Sequence, residues 1–140
     1  MMGLAFAVIQ IVTVIRKNTK MASKPTQRTL ALLKKEGYTV TIGEKYNAFI
    51  KIRQDLFGWI DVVAIHPEKS GVLGVQTTSG SNLTARIKKA TALDSFKVWV
   101  KAGNAVEFHG WRKLKNLPGN RQWACDRRDA KGVRIEKEKE

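Results

Sequence analysis

The sequence predicts an α/β domain built on a mixed β-sheet flanked by helices, and three observations predict it. Apolar residues recur at helical spacing in three segments, alternate with period two in five others, and the two patterns interleave as helix, strands, two helices, strand. At 140 residues the chain suits one domain of ordinary size. Its 43% hydrophobic and 27% charged residues are those of a chain that buries a core.

The elements follow in order. Residues 1–15, MMGLAFAVIQIVTVI, are apolar but shorter than the ~20 residues a spanning helix needs, and Arg16, Lys17 and Lys20 come after them. Met21 offers another start, so residues 1–20 are read as an apolar extension and the domain as 21–124. A membrane tether is the competing reading of that run, and no stable membrane association is expected. Ser23 is a candidate N-cap and Pro25 suits a first turn, which predicts a helix over 26–36 with Leu30, Ala31 and Leu33 inward, closed by Gly37.

Residues 38–42, 49–53, 59–65 and 72–78 read as strands. The turn chemistry of His66-Pro-Glu-Lys-Ser-Gly71 joins the last two as an antiparallel hairpin. Residues 81–92 and 93–102 read as helices, Gly103-Asn104 closes the second, and 105–109 alternates as a final strand. Residues 112–124 read as irregular, and 125–140 as a charged, flexible tail. Trp59, Trp99 and Trp111 are expected in the core, and His109 is read as an exposed strand residue.

The net charge of +14 points to a polyanionic partner. The excess lies in the folded part: residues 21–120 carry 16 Lys or Arg against 7 Asp or Glu. Cys125 is the only cysteine, which excludes an intramolecular disulfide and a cysteine-based zinc cluster and fits a reducing, cytoplasmic setting. Neither a glycine-rich phosphate loop nor a Ser/His/Asp arrangement is visible.

The stretch that can carry chemistry is Arg53-Gln-Asp-Leu-Phe-Gly-Trp-Ile-Asp61 with Val75-Gln-Thr-Thr-Ser79. Asp61 opens an apolar strand, where a buried carboxylate is costly without a cation or hydrogen bonds. Gln76 and Thr78 share a strand face, and the hairpin can bring Asp61 and Gln76 to one edge of the sheet. The plainer readings are a solvated strand face for Gln76 and Thr78, a turn cap for Asp55 and a loop carboxylate for Glu44.

Together, Glu44-Lys-Tyr-Asn47, Asp55-Leu-Phe-Gly58, Ile60-Asp61, Gln76-Thr-Thr-Ser79, Arg86, Lys89 and Gly110-Trp-Arg-Lys113 resemble the PD-(D/E)XK nuclease superfamily. The likeness is to the phage and bacterial proteins called Holliday junction resolvase-like, and it spans residues 26–113. It implies a restriction endonuclease-like fold and a metal-dependent endonuclease using Mg2+ or Mn2+ on double-stranded or branched DNA, with a homodimer as one expected state.

By position, the resemblance makes Asp61 the metal-ligating acid, with Gln76 in the second acid position and Thr77 offering its carbonyl. Either Glu44 or Asp55 would add a carboxylate. Gln76 is neutral, and Thr78 stands where the pattern has a lysine, so Lys89, or Lys88 beside it, is the expected source of the missing ammonium. Lys51, Arg53, Arg86, Lys88, Arg112 and Lys113 are the expected phosphate contacts. The departures at Gln76 and Thr78 motivate an alternative, a DNA-binding protein that keeps the fold without catalysis.

Overall fold

The computed structural model describes residues 23–116, 118 and 122–136. The apolar extension, the alternative start at Met21, parts of the 112–124 segment and the last four residues of the expected tail lie outside them. Among the described residues no helix is long and apolar enough to cross a membrane.

Helix α1 spans Lys24–Lys35, with Ser23 as its N-cap: the Oγ accepts the Thr26 N–H at 3.3 Å, and Pro25 lies in the first turn. Its buried residues are Thr26, Thr29, Leu30 and Leu33, the spacing of one helical face. Ala31 is exposed, contrary to expectation, because a residue one position beyond Leu30 is turned about 100° away.

Strands β1 (Thr39–Ile42), β4 (Val62–His66), β5 (Lys69–Ser79), β6 (Ala105–Lys113) and β7 (Trp123–Arg128) form one sheet in the order β1-β4-β5-β6-β7. Three pairs are antiparallel, and β5 and β6 are parallel. A parallel pair needs a crossover, supplied by helices α2 (Leu83–Thr91) and α3 (Asp94–Lys101) after a single turn at Gly80–Asn82. The expected mixed sheet flanked by helices is therefore present. The expected strand at 49–53 falls at Ile52–Gln54 (β3), and it pairs with Lys45–Asn47 (β2) as a separate two-stranded hairpin.

Two apolar layers enclose the sheet. On the α1 side Leu30, Leu33, Tyr38, Val62, Ala64, Leu73 and Val75 pack together. On the other side Trp59, Ile60, Leu83, Ala90, Phe96, Val106 and Phe108 pack under α2 and α3. Gly74 lets Trp59 and Trp99 close over β5: an added Cβ would lie 3.0 Å from each ring. Trp59 meets Phe96 edge to face with centroids 5.0 Å apart, which anchors the chain two residues before Asp61. As expected, the tryptophans serve the core.

The tail boundary at residue 125 needs correction. Strand β7 runs through Cys125 to Arg128 and pairs with β6 from Phe108↔Arg128 to Lys113↔Trp123. A single charged residue explains it: Arg127 reaches Glu36 and Glu107, so a basic segment that reads as solvated docks as an edge strand. Strand β6 likewise extends to Lys113, four residues past its expected end.

Candidate functional site

The antiparallel register pairs Val62 with Val75 and so sets Asp61 across from Gln76. The Asp61 N–H donates to the Val75 carbonyl at 2.9 Å. Its Oδ2 accepts the Thr77 N–H at 2.7 Å and the Thr77 hydroxyl at 3.3 Å. Thr77 Oγ1 lies 2.8 Å from Thr26 Oγ1, which lies 2.9 Å from Ser23 Oγ. A hydroxyl donates one proton, so with Thr77 donating to Asp61, Thr26 donates to Thr77 and Ser23 to Thr26. A directed chain thus joins the helix cap to the carboxylate.

Asp61 is 7% exposed, and its proton is held unusually tightly. Burial, then the hydrogen bond and charge of Asp55, push its pKa up to about 8; the Thr77 amide opposes this and Glu44 adds to it. After burial, Asp55 is thus the neighbour that most favours the protonated form of Asp61. Burial also raises the pKa of Glu44, with Arg53 opposing from 3.7 Å and Asp55 adding to the rise. None of the main influences on Asp61 is a cation.

The sequence places these three acids on separate local structures. Glu44 directly precedes β2 and Asp55 directly follows β3, so the hairpin ends hold two of them. The Asp55 carbonyl accepts the Gly58 N–H at 3.0 Å, closing the turn that returns the chain to Asp61. Phe57 (φ 54) and Gly58 (φ 84) are both left-handed there, strain for a phenylalanine that the flanking bonds must hold. Asp55 therefore closes the turn through its backbone while its side chain meets Asp61.

Gln76 and Thr78 are 4% and 7% exposed, which rules out a solvated strand face for them. They alternate with Val75 and Thr77 on a strand buried on both sides, where alternation no longer marks exposure. Gln76 Oε1 is buried with no hydrogen-bond partner, a vacant acceptor on the residue across the strand register from Asp61. Among the described residues no three His, Cys, Asp or Glu side chains are close enough to hold a metal ion by themselves.

The expected cations are distributed unevenly. Arg86, Lys88 and Lys89 are exposed on α2, and neither lysine is among the main influences on Asp61. Arg112 and Lys113 are exposed at the end of β6, beyond its last pair with β5 and at the sheet end where β5 finishes and β4 begins; a Cβ on Gly80 would lie 3.3 Å from that of Arg112. Lys51 and Arg53 are exposed on the hairpin between Glu44 and Asp55.

A second polar group lies under α1, and the sequence reading missed it. His109 is fully buried, not exposed. Its Nδ1 is 3.0 Å from Thr29 Oγ1 and its Nε2 is 2.9 Å from Glu107 Oε1. Burial lowers the His109 pKa against the opposing pull of Glu107. The Glu107 carboxylate only accepts, so the neutral ring carries its hydrogen on Nε2 and Nδ1 accepts the Thr29 hydroxyl proton, while Thr29 Oγ1 accepts the Trp111 indole N–H at 2.9 Å. Burial alone would raise Glu107, but His109 and Arg127 outweigh it and hold the carboxylate below its usual range.

The missed signal was available in part: Thr26 and Thr29 share the helical spacing of Leu30 and Leu33. Comparison with protein families, with curated proteins and with solved structures returned no match to this chain.

Proposed function

We propose that this chain is a metal-dependent DNA endonuclease of the PD-(D/E)XK type with a restriction endonuclease-like fold, acting at the sheet end that carries Asp61. The observation that carries the reading is the buried Asp61, acted on by Asp55 and Glu44 and set across the strand register from Gln76 with its vacant oxygen, with no cation among the main influences on Asp61. A buried carboxyl group whose charge is this costly, with further acids acting on it, is arranged for something positive.

The donors fit a hard cation. Asp61, Gln76 Oε1, the Thr77 carbonyl and a carboxylate from Asp55 or Glu44 are all oxygen, the set that suits Mg2+ or Mn2+. When bound, such an ion supplies charge stabilisation at a phosphodiester and a more acidic water. The chain itself orients the Asp61 carboxylate through Thr77 and keeps it buried. Arg112 and Lys113, at the same sheet end, and Arg53 and Lys51, on the hairpin, would hold the backbone phosphates. Lys89 or Lys88 remains the proposed ammonium, drawn toward the site only by bound DNA.

The test is a panel of labelled four-way junction, duplex, flap and single-stranded DNA with Mg2+ or Mn2+. Metal-dependent cutting that Asp61→Ala abolishes, with binding retained, is the expected result, and the preferred branch structure names the substrate. Salt-sensitive binding with no cutting under any condition would instead favour the non-catalytic DNA-binding reading, toward which Thr78 in the lysine position already leans.

A further inference from the structure

The β2–β3 hairpin exposes an apolar surface that folding does not use. Phe49 at its tip is 100% exposed, and Ile50, Ile52 and Tyr46 are each about half exposed or more. The Phe49 N–H donates to Asn47 Oδ1 at 3.0 Å and Lys51 is left-handed (φ 52), so the tip is a defined turn. The two strands pair only with each other, outside the five-stranded sheet. Lys45, Lys51 and Arg53 are exposed along the same hairpin.

We infer that this hairpin is a DNA wedge: Phe49 and Ile50 enter between bases while Lys45, Lys51 and Arg53 bind the flanking phosphates. The inference rests on the DNA reading above and deepens it. An apolar tip between cations matches an anionic chain with stackable bases inside it, and apolar side chains are the ones that part base steps. Charge separates this partner from its rivals. A second copy of a chain with net charge +14 is repelled. An anionic lipid surface gripping the tip would lie near Glu44 and Asp55 at the hairpin's roots, with no cation in that surface to offset them. A DNA strand gripped by the tip is held by the same hairpin that carries Glu44 and Asp55 at its roots.

The experiment uses the full chain in metal-free buffer with duplex and four-way junction DNA carrying 2-aminopurine, whose emission rises when a base unstacks. Wild type is expected to raise the emission. Phe49→Ser/Ile50→Ser is expected to lose the rise and bind about tenfold more weakly. Both residues are exposed, so this variant should melt like wild type. Lys45→Ala/Lys51→Ala is expected to keep the rise at saturation while the salt slope of binding falls by about 2.

Binding by wild type without any rise, or a full rise in the Phe49/Ile50 variant, would overturn the wedge and leave the DNA reading standing. No binding to DNA even at low salt would overturn both. A third arm offers phosphatidylserine–phosphatidylcholine vesicles. Uptake of wild type but not of the Phe49/Ile50 variant, with the two giving equal emission on DNA, would give the hairpin to a lipid surface and overturn the wedge.

Discussion

Asp61→Asn is expected to lose Mg2+-dependent cleavage by about 10²–10³-fold or more and yet to melt higher than wild type in metal-free buffer at pH 8. The first half follows from removing the one carboxylate fixed by both Thr77 bonds. The second follows from the sign of its titration. With a folded pKa of about 8 against an ordinary value of 3.8, Asp61 keeps a proton on folding that the unfolded chain has already released. Its contribution to stability is therefore full below about pH 4 and is lost as pH rises toward 8.

Asparagine keeps an acceptor for the Thr77 amide and never carries the charge. The difference in melting temperature, followed by circular dichroism from pH 5 to pH 9, should grow with pH and reach about 4–8 °C. Saturating Mg2+ should raise the melting temperature of wild type at pH 8 and leave Asp61→Asn where it was. A variant that melts lower than wild type at pH 8 would contradict the account of the carboxylate cluster.

Arg127→Met carries the second large effect, on folding. Its guanidinium donates through Nε to Glu107 at 2.8 Å, pairs with the same carboxylate through Nη2 at 2.7 Å and reaches Glu36 through Nη1. Removing it leaves a buried carboxylate beside a neutral histidine, and breaking one side of such a pair costs about 3–5 kcal/mol. Because Glu36 still reaches solvent, about 2–4 kcal/mol is expected, read as a fall in the urea midpoint at unchanged slope.

The pH dependence distinguishes this network from the one at Asp61. Glu107 is held below its usual range, so its share of stability is present above the ordinary carboxylate range and lost as pH falls through its lowered value. His109 is likewise held low, so acid must charge a buried ring. Wild type should lose this contribution in acid, and the cost of Arg127→Met should shrink toward pH 5 as Glu107 in the variant takes a proton. A cost independent of pH would mean that β7 is held by its backbone ladder alone.

The comparison of sequence and structure turns on which signals are local. The β4–β5 hairpin and its juxtaposition of Asp61 with Gln76 were legible, because period-two alternation and the His66–Gly71 turn fix the register. Helix α1 was legible from Ser23, Pro25 and Gly37. His109 was misread because β6 is covered on both faces: Val106 and Phe108 pack under α2 and α3 while Glu107 and His109 point at α1. Alternation then reports two buried faces of different chemistry, not one buried and one wet. The end of the fold was misplaced because the partners of Arg127, Glu36 and Glu107, lie 91 and 20 residues away. For the site, sequence could offer Glu44 or Asp55 as alternatives; in the structure both act on Asp61, Asp55 more strongly than Glu44, since the hairpin carries one at each end.

The most direct measurement is a calorimetric titration of the protein with Mn2+ at pH 7, repeated in two buffers of different ionisation enthalpy. The account predicts one saturable site in wild type, release of about one proton as Asp61 ionises, and loss of the site in Asp61→Asn. Binding of Mn2+ that is unchanged in Asp61→Asn, or no binding at millimolar Mn2+ in wild type with DNA present, would contradict it.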